Sequence, residues 1–540
     1  MKVVGASASY LYLVPMDGRY WFELFTRRGS RRDFLRVGAS AVGLVALGGQ
    51  TGCATGRRVR VVSNPFTLGV ASGDPTPDGI VLWSRLSSTA LREIGAHVEP
   101  VEVRWELAED DAFSRIVRAG DAAALPELGH SVHVEIDGLR PGREYFYRFF
   151  SGGEASPMGR AKTAPRLDAR PDRFDFAFVS CQHYEHGYYT ALRHLASESL
   201  DVVVHLGDYI YEGAALDGDV RRHEGREPID LEGYRRRYTT YRSDGDLQRA
   251  HAAAPWLVTF DDHEVDNNWA GDVPEDGQPT QEFLLRRAAA FQAYYEFMPL
   301  RASSMPSGPG MQIYRRLRFG DLLEMNLLDT RQYRSDQPCD AVVGPTCAEH
   351  MADGQTILGA PQRTWLEDGF AASTARWNVL AQQVLMARFR NVDGDGRETW
   401  SMDKWDGYPR ERTSLLAAMA DSGVSNPVVL TGDIHSSWVT RLLRDFDDER
   451  SQVVGTEFVG TSLTSGRNGR PMTPWGEAAL RNNPHVDFYD ARRGYVHCSA
   501  TPGRWTSRYR VVPYVDRAGA PVETIATYVV DDGRPGAERV

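Results

Sequence analysis

The sequence predicts an α/β protein preceded by a small all-β region, and two patterns indicate this. From residue 174 onward, apolar runs alternate with helical stretches such as 188–198 and 281–298, as in α/β folds. Residues 65–165 instead contain short runs rich in Val, Trp and Tyr, with turn residues between them. We therefore expect a leader over 1–54, an all-β domain over 65–165, an α/β domain over 174–513 and a C-terminal tail over 514–540.

The N-terminal segment carries a paired arginine, Arg31-Arg32, ahead of a short stretch rich in Gly and Ala at 37–47. This pattern resembles a twin-arginine export signal. The stretch is too short for a transmembrane helix, which needs about 20 residues, and no later segment looks membrane-spanning. We expect a periplasmic, secreted or cell-surface protein, with the twin-arginine machinery as a partner. An amphipathic surface helix is the alternative interpretation.

Residues 65–165 have the sequence features of an immunoglobulin-like or fibronectin-like β-sandwich. The stretch 138–149, GLRPGREYFYRF, resembles a strand-turn-strand unit of that fold, and Tyr145 is a candidate for its corner tyrosine. The segment 162–174 carries prolines and charges and is typical of a linker.

Several apolar runs of the α/β region end in side chains capable of chemistry. In open α/β sheets the carboxyl ends of the strands form the ligand crevice, so these side chains could converge there although they are far apart in sequence. In chain order they are Cys181, Asp208, Tyr211, Asp261, Asp262, His263, Asn267, Asn268, Asp329, Arg331, Asp433 and His435.

The local spacing supports convergence. Asp208 and Tyr211 are three residues apart and would share one side of a helical turn, whereas Asp433 and His435 are two apart and would share one face of an extended segment. Gly207 precedes one Asp and Gly432 the other, and glycine allows a tight turn there. A plain turn at the end of a strand explains any single Gly-Asp pair, but not the full set.

These donors indicate a metal cluster. Carboxylate and amide oxygens suit hard cations such as Ca²⁺, Mg²⁺ or Mn²⁺, whereas a phenolate and a thiolate suit oxidised iron. The spacing of a structural zinc site, a Gly-x-Ser-x-Gly elbow and a Walker phosphate loop do not occur among these motifs. The formal net charge of −11, without a basic stripe, argues against specific nucleic-acid binding.

The remaining cysteines have structural interpretations. Cys339 and Cys347 flank a short loop, and a disulfide is the default expectation in an exported protein. Cys498 lies in a strand-like stretch and is expected to be a small buried side chain. Cys53 follows the leader in only a poor lipoprotein motif.

At these motifs the chain resembles the PhoD family of alkaline phosphatases and phosphodiesterases, within the calcineurin-like metallophosphatases. The stretches that carry the resemblance run in the family's order over residues 65–510: GVASGDPTPDGIVLWSRL, VSCQ, HLGDYIYE, TFDDHEVDNNW, LDTRQYR, LTGDIHSSW and GYVHCSATPGRW. The resemblance implies a layered metallophosphatase-type β-sandwich flanked by helices. It also implies a site with Fe³⁺ and one or two Ca²⁺ ions that attacks phosphate esters.

The resemblance assigns metal ligands as follows. Cys181 and Tyr211 match the iron thiolate and phenolate, and Asp208 matches the carboxylate that bridges iron and calcium. Asp433 and His435 match ligands from the last motif. An asparagine, Asn267 or Asn268, should bind calcium, and Asp262 is a further candidate. The wider superfamily has Gly-Asn-His-Glu where this chain has Asp-Asp-His-Glu at 261–264, so the role of Asp262 stays open.

The expected reaction is in-line attack of a metal-bound hydroxide or oxide on phosphorus. His263 would protonate the leaving alkoxide or orient the phosphate, or it would be a hydrogen-bonded support for the ligands. Arg331 would clamp the phosphate, or pair with Asp329. His183 and His186 are expected at the rim of the site, and packing in the core is the preferred interpretation of Tyr209, Trp269 and Trp438.

The substrate class is left open by the sequence. Phosphate-ester small molecules are one class, and phospholipid or nucleotide diesters are the other, which would make the enzyme phospholipase D-like or a nucleotide phosphodiesterase. The same metals perform both reactions, and the walls of the pocket select the substrate. An alternative from another class is a non-catalytic exported binding protein with a vestigial metal site.

Overall fold

The computed structural model describes residues 56–392, 395–448 and 450–540. The predicted leader, with Arg31-Arg32 and Cys53, lies outside these ranges. In the described part of the chain the strands are β1 Val70–Gly73, β2 Ile80–Arg85, β3 Val101–Ala108, β4 Ile116–Ala124, β5 Ser131–Ile136, β6 Glu144–Ser151, β7 Glu154–Ala155, β8 Gly159–Lys162, β9 Phe174–Val179, β10 Val202–His205, β11 Pro255–Val258, β12 Arg315–Phe319, β13 Leu323–Leu327, β14 Val343–Gly344, β15 Trp377–Ala381, β16 Asn391–Val392, β17 Glu398–Ser401, β18 Pro427–Thr431, β19 Ser437–Leu443, β20 Val453–Val459, β21 Val486–Asp490, β22 Arg493–Ala500, β23 Arg504–Val512, β24 Glu523–Asp531 and β25 Glu538–Arg539.

The α-helices of the described residues lie mostly between strands. They are α1 Ser88–Glu93, α2 Thr190–Leu195, α3 Leu231–Arg242, α4 Gly245–Ala253, α5 Thr280–Phe297, α6 Gly359–Ala372, α7 Pro409–Ser422 and α8 Pro474–Asn482. None of them is long and apolar enough to cross a membrane.

Two large sheets organise the described chain. The first has the order β25-β24-β23-β22-β9-β10-β11-β1-β2-β5, and the second has the order β12-β13-β15-β18-β20-β19-β21. In the first sheet β9, β10 and β11 are parallel neighbours. In the second sheet β13, β15, β18 and β20 are parallel neighbours.

The two sheets pack face to face over a shared apolar core. The residues of β9 alternate between the faces: Phe174, Phe176 and Phe178 point into the layer between the sheets, and Ala177 and Val179 point away from it. This is the two-residue period of a strand. Core residues of β13, β15 and β18 fill the other side of the shared layer.

Helices cover both outer faces of the sandwich. On the first sheet, side chains of α2, α3, α4 and α5 pack on the outer face of β9–β11. On the second sheet, α6 and α7 pack on residues of β15 and β18. The order helix, sheet, sheet, helix matches the layered sandwich predicted from the sequence.

The strands of residues 65–165 divide between two sheets. β1, β2 and β5 extend the first large sheet beside β11, whereas β3, β4, β6, β7 and β8 form a separate five-stranded sheet. Tyr145 lies on β6, and its hydroxyl oxygen accepts a hydrogen bond from the backbone N–H of Arg140 at 2.9 Å, as a corner tyrosine does. The division into domains at 65–165 and 174–513 stays a prediction.

The C-terminal segment 514–540 contains β24 and β25. β24 pairs along its length with β23, and it buries Tyr528, Val529 and Val530. β24 is also paired on its other side, with the short strand β25, so the segment expected as a tail completes the first large sheet. Elsewhere, Cys339 and Cys347 form a disulfide, and Cys498 is buried on β22, as expected for both.

Candidate metal centre and active site

The loops that follow the parallel strands meet at one edge of the sandwich. Cys181 comes two residues after β9, and Asp208 comes three residues after β10. The two loops are tied together, because the N–H of Cys181 donates to the carbonyl of Gly207 at 3.1 Å and the N–H of Gln182 donates to the carbonyl of Asp208 at 3.0 Å. The carboxyl ends of parallel strands thus bring these side chains together.

Five of the predicted ligands have a left-handed backbone. The φ angles are 58° at Cys181, 55° at Asp208, 51° at Asn268, 61° at Asp433 and 56° at His435. Residues other than glycine rarely adopt this conformation, and such strain concentrates at functional sites. The same conformation occurs at six other non-glycine residues of the described chain, so it accompanies the site without identifying it.

The two glycines of the Gly-Asp pairs permit close packing of these loops. Gly207 has φ +105°, and a Cβ there would lie 2.5 Å from the Cβ of Asp261. A Cβ on Gly432 would lie 2.6 Å from Oγ of Ser180. Both distances are too short for a side chain, so the convergence of the loops requires glycine at these positions.

Cys181, Asp208, Tyr211 and His435 form one group of donors, which we call the Cys181 cluster. One potential ligand atom each from Cys181, Asp208 and His435 lies within 4.8 Å of the others. The Tyr211 hydroxyl donates to Oδ2 of Asp208 at 2.8 Å and lies 3.1 Å from Nε2 of His435. Ser465, which the sequence did not indicate, donates from Oγ to the Tyr211 hydroxyl at 2.7 Å.

Asp208, Asp262 and His263 form a second group, also with ligand atoms within 4.8 Å of one another. Asp208 is common to both groups, which is the placement that a bridging carboxylate needs. Oδ2 of Asp262 accepts the backbone N–H of Asn268 at 2.8 Å.

The two candidate asparagines lie at the exposed edge of the second group. Both side-chain amides, of Asn267 and of Asn268, donate to the carboxylate of Glu275. The choice between Asn267 and Asn268 as a ligand therefore stays a prediction.

Asp433 faces the Cys181 cluster from the second sheet. It follows β18 by two residues, and its carboxylate adds to the charges that raise the pKa of the Cys181 thiol. Its Oδ2 is paired with the ammonium group of Lys404. The sequence did not single out Lys404, although lysine occurs elsewhere only at positions 2 and 162.

His263 is held by a carboxylate that the sequence analysis did not name. Its Nδ1 lies 2.7 Å from Oε2 of Glu212, and Oε1 of Glu212 accepts the N–H of Asn267 at 2.9 Å. Burial lowers the pKa of His263, but Glu212, Asp262 and Asp208 outweigh burial and hold this pKa well above its usual value. The available signal was that Glu212 belongs to the same motif as Asp208 and Tyr211.

Arg331 contacts carboxylates on every side. Its guanidinium is fully buried and contacts Asp261 at 2.6 Å, Asp403 at 2.9 Å and Asp262 at 3.7 Å. Asp329 does not pair with this guanidinium; it accepts the backbone N–H of Arg331 at 3.0 Å. This geometry favours a positioning role for Arg331 over the expected phosphate clamp, since its charge is already neutralised.

Glu264 holds the backbone of both Asp-containing loops. Its carboxylate accepts the N–H groups of Asp208 at 3.1 Å and Asp261 at 2.8 Å, and also that of Tyr209. It is 1 % exposed. In the sequence Glu264 is only the last residue of the Asp-Asp-His-Glu stretch, because hydrogen bonds to a distant loop have no local signal.

The residues beside the clusters are placed largely as expected. His183 stacks on His186 with ring centroids 3.9 Å apart and lies 4.3 Å from the ring of Tyr211. Tyr209, Trp269 and Trp438 are fully buried in apolar clusters or against them.

The charge balance of the two groups fits bound cations. Asp208 is 2 % exposed, and its Oδ1 has no hydrogen-bond partner. Burial raises the pKa of Asp208 well above its usual value, and burial together with Asp208 does the same to the pKa of Cys181. A cation would compensate these buried acids. Thiol, phenol, carboxylate and imidazole donors in one place match the ligand preference of oxidised iron, and the carboxylates match that of a hard divalent ion.

Comparison with known proteins identifies two family patterns that match this chain. The sequence pattern of the family described as PhoD-like phosphatase matches residues 176–509. The pattern described as the N-terminal domain of PhoD-like phosphatase matches residues 52–165.

Individual relatives agree with these matches. The chain is 49% identical over 483 residues to alkaline phosphatase D of Bacillus subtilis (strain 168), which covers 88% of this chain and 83% of that protein. A solved structure described as PhoD superposes with a TM-score of 0.86 at 49% identity and covers 89% of this chain and 92% of the other. Purple acid phosphatase PPD1 from yellow lupin seeds has a TM-score of 0.51 at 11% identity, covering 86% and 74% of the two chains, which shows the same fold.

Proposed function

Because the chain belongs to the PhoD-like phosphatase family, whose members are phosphoric ester hydrolases, we propose that it cleaves phosphate esters at the edge where the parallel strands end, with Fe³⁺ and Ca²⁺ bound there. The observation that carries the choice of metals is the position of Asp208, which is common to two adjacent groups of donors. One group contains a thiol, a phenol and an imidazole, and the other contains a second carboxylate and the imidazole of His263, whose Nδ1 is occupied by Glu212. This division suits one oxidised iron and one or two hard divalent ions.

The residues would hold these ions as follows. Cys181, Tyr211 and His435 would bind iron, and Asp208 would bridge iron and calcium. Asp262, Asp433 and Asn267 or Asn268 would complete the calcium ligands. When bound, such ions lower the pKa of water to give a nucleophile at neutral pH and neutralise charge on a phosphoryl group.

The protein's own groups would position the ester and move the proton. Glu212 faces Nδ1 of His263 at 2.7 Å, and Glu212, Asp262 and Asp208 hold the pKa of His263 well above its usual value, which favours the protonated ring. Its other ring nitrogen, Nε2, could donate a proton to the leaving alkoxide. Arg331 would fix Asp261 and Asp262 rather than bind phosphate, because its guanidinium contacts both of them.

Export by the twin-arginine route belongs to the same proposal. It rests on Arg31-Arg32 and the short stretch that follows. A site built from a thiolate and a phenolate on separate loops can bind iron only after folding, and that route carries folded proteins. Conversion of Arg31 and Arg32 to Lys should retain the enzyme in the cytoplasm, as measured by activity in cell fractions.

Elemental analysis and visible absorption test the iron site. The purified protein should contain about one iron per chain and should be coloured, because phenolate and thiolate donors to Fe³⁺ absorb visible light. Tyr211→Phe should shift or abolish the band and reduce phosphatase activity. Tyr509→Phe, at a buried tyrosine whose hydroxyl donates to the carbonyl of Trp438, is the matched control and should keep the colour.

Two results would count against the proposal. Iron far below one per chain together with chelator-insensitive activity would exclude the proposed metals. An unchanged spectrum in Tyr211→Phe would exclude the phenolate ligand. Hydrolysis rates for a mono-ester and a bis-ester chromogenic substrate would then assign the enzyme to phosphatases, or to the phosphodiesterase or phospholipase D-like alternatives.

A further inference from the structure

Three side chains next to the Cys181 cluster form a third group of potential metal ligands. His183, Glu185 and His223, which we call the His183 cluster, each offer one ligand atom within 4.8 Å of the other two. His183 and Glu185 belong to the turn after Cys181, and His223 comes from the long loop between β10 and α3. None of the three is among the proposed iron and calcium ligands.

Two members of the cluster are buried, and one of them has an unpartnered nitrogen. The side chains of His223 and Glu185 are 1 % and 2 % exposed, and Nδ1 of His223 has no hydrogen-bond partner. This Nδ1 faces Oε2 of Glu185 at 3.4 Å. In a tetrahedral site with metal–ligand bonds of 2.0–2.1 Å, two ligand atoms are about 3.3–3.4 Å apart, so the pair already has the spacing of two ligands.

Hydrogen bonds hold Glu185 and its surroundings in this arrangement. Oε1 of Glu185 accepts the N–H of His223 at 2.9 Å, which leaves Oε2 directed at the ring. The carbonyl of Glu185 accepts the N–H groups of Val220 at 2.9 Å and Arg221 at 3.1 Å. The loop of His223 is therefore docked on the turn of Glu185 through the backbone as well.

The second nitrogen of His223 contacts the hydroxyl of Tyr241. Nε2 lies 3.0 Å from the hydroxyl of Tyr241. Histidines that bind metals through one nitrogen usually donate a hydrogen bond through the other. The Tyr241 oxygen also accepts the N–H groups of Tyr211 at 3.0 Å and Tyr184 at 3.2 Å, so its own proton is directed at Nε2, and a metal at Nδ1 requires this hydroxyl to turn.

We propose that the His183 cluster binds one divalent transition-metal ion of the zinc class. Two imidazoles, which are borderline donors, together with one carboxylate form a ligand set that suits Zn²⁺ or Co²⁺ and leaves a fourth position for water. The ion joins the turn at 183–186 to the loop at 219–223. Because the ring of His183 packs on Tyr211, the ion also fixes one wall of the phosphatase site.

Metal uptake by the full-length protein, with its own metals in place, tests this site. Samples are equilibrated with Zn²⁺ alone, and zinc and iron per chain are counted by mass spectrometry. Wild type should take up about one zinc more than Glu185→Gln and His223→Gln, whose affinity for this zinc should be at least 100-fold weaker. His186→Gln is the matched control, since His186 stacks on His183 but is not in the cluster, and it should bind zinc as wild type does.

Cobalt gives a second measurement. Co²⁺ in a site with two imidazoles and one carboxylate should produce a d–d absorption band in wild type and in His186→Gln, and the band should be absent in Glu185→Gln. Circular dichroism verifies that each variant is folded.

The outcomes separate this proposal from the proposed iron site. Tyr211→Phe should lose the iron band and still take up the additional zinc, whereas Glu185→Gln should lose the zinc and keep the iron. Equal zinc uptake by wild type and both ligand variants would overturn the His183 cluster as a metal site, and so would the absence of any zinc beyond the existing metals in wild type.

Discussion

A buried carboxylate outside the predicted ligand set, that of Glu264, holds the loops of the site in place. Glu264 accepts backbone N–H groups from Asp208, Tyr209 and Asp261, and it is 1 % exposed. Two of these N–H groups belong to the loop after β10 and one to the loop after β11. Glu264 therefore joins two loops that must both be in place for Asp208 to serve both groups of donors.

Glu264→Gln should destabilise the protein and weaken its metal site. The amide has one acceptor oxygen and turns N–H groups towards the backbone donors, and each buried donor left unpaired costs about 1–3 kcal/mol. We expect the free energy of unfolding in urea to fall by that amount and metal content to fall with it. Glu282→Gln, at an exposed position in the first turn of α5, should change the free energy of unfolding by less than about 1 kcal/mol. Equal stability of both variants would contradict the role assigned to Glu264.

At the scale of elements, β10 and β18 each continue into a turn that the glycine before the aspartate makes possible. Gly207 lies between β10 and Asp208 with φ +105°, and the loop after β11 passes within 2.5 Å of the position of its missing Cβ. β10 and its turn therefore pack tightly against the loop that follows β11. The sequence showed the glycine, and the contact partner was visible only once β10 and β11 were paired.

Gly207→Ala should disrupt this turn, whereas Gly213→Ala should not. The added methyl group at 207 would collide with the backbone and Cβ of Asp261 and would also disfavour the positive φ, so we expect a loss of at least about 1–3 kcal/mol of stability and reduced metal content. A Cβ at Gly213, in the same loop, meets no atom within 4 Å. Thermal unfolding and iron analysis of the two variants provide the comparison. Wild-type metal content in Gly207→Ala would show that the turn adapts.

At the scale of the whole molecule, burial of neutral histidines makes stability depend on pH. His485 is 6 % exposed and lies 2.7 Å from the carbonyl of Arg388 through Nε2. Burial, partly offset by this hydrogen bond, lowers its pKa to about 4, whereas a histidine in an unfolded chain has a pKa of about 6.5. Between these values the unfolded chain binds a proton that the folded protein does not bind, so folding becomes less favourable as the pH falls.

His485→Gln should reduce the acid sensitivity of the fold. From the two pKa values, His485 alone should lower the free energy of unfolding by about 2 kcal/mol between pH 7 and pH 5. Between pH 7 and pH 5 the free energy of unfolding should therefore fall by about 2 kcal/mol less in the variant than in wild type. Urea unfolding at both pH values measures this difference. His97→Gln, at an exposed position, is the control and should behave as wild type. An unchanged slope in His485→Gln would mean that the ring is not held neutral.

The sequence by itself determined the fold class and the family, and it supplied the candidate site residues. Runs of apolar residues, alternating or continuous, identify strands, and a Gly-Asp pair after such a run identifies a turn. These signals can be read from the sequence because each is local in the chain. Cys181, Asp208 and His435 could be named in this way, and the structure brings them within 4.8 Å of one another.

Only the tertiary structure decided which side chains face each other. Glu212 and Glu264 accept hydrogen bonds from loops more than fifty residues away. Arg331 lies between carboxylates from two other loops. His183 and Glu185 meet His223 although they are far from it in sequence. Strand order and the pairing of loops set these contacts, and both depend on burial summed over the whole core, which no short stretch of sequence encodes.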